Sequence, residues 1–145
     1  YTLSLHDALP IYINFTNKTQ FLFRISKGTL DVNDNDVNRY YEPENIRVPF
    51  NNIVYIGDSQ TDIPCMKLVN SLGGHSIGVY DPTSNNKARV HELIMDKRIK
   101  HFAKADYSKG SKLDELMHNI IDYTSASYKL NRDYWENLDE AENLA

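Results

Sequence analysis

Two carboxylates four residues apart, Asp58 and Asp62, stand where an apolar run stops and a helical pattern begins. The run before them, Ile53 to Ile56, is short, β-branched and apolar at alternate and adjacent positions alike, which suits a strand buried inside a parallel sheet. Gly57 ends it. In open α/β sheets ligands collect beyond the carboxyl ends of the strands, so Asp58 falls where such a protein does its chemistry. Thr61 is placed to cap the helix that follows, and Pro64 is tolerated in its first turn, where the amides have no intrahelical partner. Asp62 then lies one helical turn from Asp58. Hard oxygen ligands beside a helix N-terminus suit a Mg²⁺ ion that holds a phosphate, with carboxylate on the metal and exposed amides on the anion.

The elements needed to position these acids can be read outward from them. Ile63, Met66, Val69 and Leu72 recur at helical spacing and are expected to face the sheet, with Cys65 and Met66 in the core and Gly73-Gly74 as a left-handed stop. His75 to Tyr80 reads as the next strand, Asn85 to Asp96 as a helix with Ala88, Leu93 and Ile94 inward, and Ile99 to Ala103 as a third strand. Asp106, just past that strand, joins the polar shell of the site as a candidate binding residue. Ser111 to Asp114 approximates a capping box, and Leu113, Leu116, Met117, Ile120 and Ile121 form a one-sided helical stripe. Strand, helix, strand, helix, strand, helix from Ile53 to Asp122 predicts right-handed crossovers and a three-layer α/β domain with a parallel sheet. Upstream, Ile13 to Phe15 and Thr19 to Ile25 are β-prone runs joined by Asn17-Lys18, which predicts a hairpin or a pair of short edge strands.

The motif Gly57-Asp58-Ser59-Gln60-Thr61-Asp62 resembles the GDxxxD motif of the haloacid dehalogenase (HAD) superfamily of phosphohydrolases, and the likeness continues through Pro64-Cys65-Met66-Lys67 and Gly73 to Tyr80. The resemblance implies a Rossmann-like core, a small phosphorylated substrate and a two-step phosphoryl transfer through an aspartyl phosphate. Asp58 would bind Mg²⁺ directly, Asp62 directly or through water, and an upstream lysine would steady the nucleophile and the phosphoryl oxygens. Lys27 is the candidate for that lysine, with Lys18 as the competing position. Ser59 supplies a hydrogen bond to substrate or eases the strand-to-helix turn. The nucleophile motif of the superfamily, DxDx(T/V), is not found. Asp31-Val32-Asn33 is its nearest imitation, but Asn33 replaces the second acid and Gly28-Thr29 replaces the apolar strand. The resemblance therefore implies the C-terminal part of such an enzyme, inactive on its own because the residue that forms the covalent bond is missing.

Two other readings use the same residues. Gly57-Asp58-Ser59 resembles the first block of GDSL-type serine esterases, which also need a histidine to take the serine proton; no aspartate here is followed three residues later by histidine. A noncatalytic α/β module that binds an anion or a partner is the remaining alternative. The spacing of Asp31, Asn33, Asn35 and Glu42 imitates a calcium loop, but Asp36 sits where glycine is required.

Composition bounds the rest. A chain of 145 residues with 41% hydrophobic and 25% charged content supports one domain of ordinary globular character. A net charge of -4 without a basic block argues against nucleic acid as a partner. A single cysteine excludes an internal disulfide and fits a reducing cytoplasm, and no apolar stretch approaches the length of a membrane span. Residues 1–11 (YTLSLHDALPI) resemble translated sequencing-adaptor read-through and are expected to be a non-native leader; 12–124 form the partial core domain, and 125–145 an acidic tail that is mobile or weakly helical.

Overall fold

The first element of the computed structural model, which describes residues 17–144, is a helix where the sequence predicted β-structure. Helix α1 runs over Lys18–Lys27 and ends at Gly28, whose φ of 76° is the left-handed conformation that glycine adopts without a Cβ penalty. Thr29 N donates to Arg24 O and Gly28 N to Ile25 O, the paired bonds of a Schellman stop. The apolar letters of 19–25 alternate, which imitates a strand, yet tertiary contacts decide the outcome. Leu22 is buried against Cys65 and Val69, and the Phe23 ring meets Phe50 edge-on at 5.3 Å. The other predicted run, Ile13 to Phe15, lies outside the described residues.

The expected α/β core follows. Strand β1 covers Val54–Gly57, β2 His75–Tyr80 and β3 His101–Lys104, forming a three-stranded parallel sheet in the order β1-β2-β3. The register of the first pair sets Val54 against His75 and Gly57 against Gly78. Between the strands lie helix α2, Ile63–Ser71, and helix α3, Lys87–Met95. Cys65, Met66 and Val69 of α2 are almost fully buried, as their spacing predicted, while Ile63 is half-buried and Leu72 exposed. In α3 Val90 and Leu93 turn inward and Ile94 is half-buried against the same cluster, while Ala88 is exposed. Gly73 takes the predicted left-handed stop, with φ 86°. α1 and α2 share one apolar cluster built on Leu22, Ile53, Cys65 and Val69, and α2 and α3 share a second on Met66, Val90, Leu93 and Ile99. Tyr55 packs against both.

The chain divides between Ala103 and Lys104 into two compact units. The second is dominated by helix α4, Lys112–Leu144, in which Asp114 N donates to Ser111 Oγ at its start. Leu113, Leu116 and Ile120 of the predicted stripe are buried, Met117 is half-buried and Ile121 is exposed. The segment 125–144, read from the sequence as mobile or weakly helical, is helical and continues α4. No glycine or proline falls between Lys112 and Leu144 to end it, so propagation continues past the last buried turn.

Candidate functional site

At the carboxyl end of β1 the backbone passes through Gly57 into Asp58 and Ser59, then makes a single turn of 3₁₀ helix, Gln60–Asp62, before α2. Tyr55 and Gly57 are two residues apart on a strand and so share a face. A Cβ on Gly57 would lie 2.6 Å from Met66 Cε, 2.8 Å from Asp62 Cβ and 2.9 Å from its Cγ, so the absent side chain leaves space that Met66 and Asp62 fill. Asp62 is consequently 7% exposed.

The carboxylate is fully partnered. Its Oδ1 accepts from Lys18 Nζ at 2.7 Å and from the Tyr55 hydroxyl at 2.8 Å. Its Oδ2 accepts from Ser59 Oγ at 2.8 Å, Ser59 N at 3.2 Å and Asp58 N at 3.3 Å. Five donors exhaust the roughly four lone-pair directions of a carboxylate. Burial alone would raise the pKa of Asp62, but the bonds from Lys18, Tyr55 and Ser59 outweigh it and bring the value to about 2. On the same grounds, burial first and donation to Asp62 second push the Tyr55 phenol far above its ordinary value. The Cys65 thiol beside that phenol is also raised by burial, so it is a core group and not a thiolate nucleophile.

The structure brings the sequence-predicted Asp58, Ser59 and Asp62 together with Lys18, the competing lysine, and adds Tyr55. It does not bring Lys27. Nine residues on a helix amount to about two and a half turns, so Lys18 and Lys27 project from opposite sides of α1. Lys27 Nζ donates to Val37 O at 2.7 Å and Arg39 O at 2.8 Å, tying down the loop after the helix. Lys18, the competing position, is the lysine at the acids. Helical periodicity would have exposed the choice, because Lys18 lies on the face of Leu22, four residues on, that packs against α2. The strand reading of 19–25 concealed it. We predict that Lys27→Met costs on the order of 1–2 kcal/mol in thermal unfolding while leaving any anion affinity of the Asp58 region unchanged.

Asp58 is exposed at the strand end, and among the described residues none pairs with its carboxylate. The expected cap, Thr61, is displaced by Ser59 and Asp62, whose side chain bonds back to Ser59 N in a capping-box arrangement; Thr61 Oγ1 pairs instead with Ser59 Oγ at 2.8 Å. Ser59 Oγ donates to Asp62 Oδ2 at 2.8 Å, so its hydroxyl is engaged within the turn. Asp106 belongs to the second unit, where its carboxylate accepts from Ser108 Oγ at 2.6 Å and Ser108 N at 3.0 Å within its own loop. No cluster of three or more His, Cys, Asp or Glu residues able to hold a metal occurs among the described residues. One unpaired carboxylate fits Mg²⁺ only in its water-rich form, bound by one or two protein oxygens and completed by water and phosphate.

A protein of Borreliella burgdorferi described as uncharacterized is 29% identical to this chain over 107 residues, covering 74% of the chain and 36% of that protein. This chain therefore spans little more than a third of its relative. No family model and no solved structure matches it. No helix among the described residues is long and apolar enough to cross a membrane.

Proposed function

We propose that the chain is the C-terminal part of a magnesium-dependent, HAD-like phosphohydrolase acting on a small phosphorylated molecule in the cytoplasm, with a Rossmann-like core. The observation that carries this reading is the convergence of Lys18, Asp58 and Asp62 where β1 ends, a cation and a free carboxylate mounted on one buried acid. Asp58 is the group that would hold Mg²⁺, whose charge when bound offsets repulsion between an anionic phosphate and an anionic nucleophile. Lys18 offers the ammonium protons that Asp62 leaves unused to a phosphoryl oxygen. Asp62 acts one step back: it fixes Lys18 and holds the Asp58 and Ser59 amides, so that Asp58 is presented at a set angle. The attacking aspartate would come from sequence outside this chain, in line with the share of the Borreliella protein that the chain covers.

The test is calorimetric titration of the chain with inorganic phosphate, with and without Mg²⁺. Phosphate is expected to bind only with the metal present, and Asp58→Asn and Lys18→Met are each expected to weaken it about tenfold or more. Binding that ignores the metal and both substitutions would overturn the assignment. A noncatalytic anion-binding module makes the same binding prediction. It differs in showing no hydrolysis of phosphomonoesters when the chain is joined to the remainder of a protein of the relative's length.

A further inference from the structure

The hydroxyl of Tyr55 reaches from β1 to Asp62, the hub of the site. Its phenol donates to Asp62 Oδ1, the same oxygen that Lys18 Nζ contacts. The ring belongs to the core, packed on the clusters beneath α1, α2 and α3, while the oxygen alone reaches the carboxylate. We propose that Tyr55 is a positioning residue for anion binding: its phenol fixes Asp62 Oδ1 at the one place from which the Lys18 ammonium can be held at the end of β1. This deepens the phosphohydrolase reading and rests on it.

A carboxylate oxygen with lysine as its sole partner draws the full ammonium charge and leaves the long side chain free to swing about it. A second donor on the same oxygen divides that demand and fixes the direction from which lysine approaches. Lys18 is a quarter exposed and Asp62 a tenth, so the pair sits at the rim of the core, where a fixed direction is not supplied by packing alone. The groups facing Asp62 are Lys18 from α1, Tyr55 from β1, and Ser59 with the Asp58 amide from its own turn. The Cys65 thiol of α2 lies behind the phenol. Tyr55 and Lys18 meet on Oδ1, while the Ser59 and Asp58 donors share Oδ2, so the tyrosine acts on the lysine through Asp62 and never needs to touch the anion.

Tyr55→Phe removes the oxygen and keeps the ring. In the chain with Mg²⁺ and inorganic phosphate, Tyr55→Phe is expected to weaken phosphate about tenfold, the scale of one hydrogen bond to a charged group. In a Lys18→Met background the same change is expected to add nothing, because the residue through which it acts is gone. Side-chain NMR gives a readout that needs no phosphate: the Lys18 Nζ resonance, ordered in the parent chain, is expected to become motionally averaged in Tyr55→Phe. Losses that multiply in the double variant, or a Lys18 signal as ordered in Tyr55→Phe as in the parent, would overturn the role of Tyr55. If Lys18→Met binds phosphate as well as the parent, the phosphate reading itself fails, and the Lys18 resonance then decides the tyrosine's role alone.

Discussion

Asp62→Ala is expected to lose about 2–4 kcal/mol of folding stability. Breaking a fully buried ion pair by deleting one partner costs about 3–5 kcal/mol, and the value here is lower because Lys18 is a quarter exposed and can turn toward water. The loss has three parts. Lys18 is left without its counter-charge, the Tyr55 hydroxyl is left as a buried donor, and the Ser59 and Asp58 amides lose the acceptor that ends β1 in a defined turn. Acid titration gives the same result by another route. The folded-state pKa of Asp62 is depressed from 3.8 to about 2, so the carboxylate's contribution is complete above about pH 5 and disappears as pH falls through about 2. Denaturant melts between pH 5 and 2 should therefore show a steeper loss for the parent chain than for Asp62→Ala. Parallel curves would mean that the carboxylate is not held as described.

Arg24→Met is expected to cost about 3–5 kcal/mol, the largest effect of any single change considered. Arg24 is 2% exposed, and its guanidinium is wrapped in backbone carbonyls. Nη1 donates to Thr29 O at 3.1 Å, Asp31 O at 2.5 Å and Asp34 O at 3.0 Å, and Nη2 donates to Val32 O at 3.0 Å. Methionine fills the stem's volume but leaves four carbonyls facing an apolar group, each a lost charge-assisted bond. Arg24→Lys should recover only part of the loss, since a compact ammonium cannot reach both sides of the fork. Thermal denaturation of the two variants checks the order. Equal stability of Arg24→Met and the parent would remove Arg24 as the clamp between α1 and the loop that follows.

The sheet and the acids were legible because they rest on local signals. Buried β-branched residues, a glycine, a polar turn and a 3.6-residue period lie within Ile53 to Leu72, and the structure places β1 and α2 there. Helix α1 was not legible because Phe21, Phe23 and Ile25 alternate like a strand, while what makes the segment helical lies elsewhere in the chain. Its Leu22 packs on α2, its Arg24 holds the loop at Thr29 to Asp34, and its Lys18 reaches Asp62, 44 residues on. The single local signal was Gly28, a helix stop that the strand reading of 19–25 passed over. That one misreading moved the lysine: in a strand the choice between Lys18 and Lys27 has no geometric basis, whereas in a helix they diverge. Tyr55 was invisible for a different reason. On a buried strand a tyrosine reads as core, and only the position of its oxygen distinguishes it from phenylalanine.

Helix α4 has one further consequence. Its 33 residues extend about 50 Å at 1.5 Å per residue, yet every residue buried along it lies between Leu113 and Ile120. Asp114 and Glu115 favour the positive end of the helix dipole, whereas the last turn holds no base and Asp139, Glu140 and Glu142 crowd the negative end. Fraying should therefore begin at Leu144 and travel inward, halting where Ile120 anchors the rod. Added salt, by screening the acidic end, should push that halting point outward.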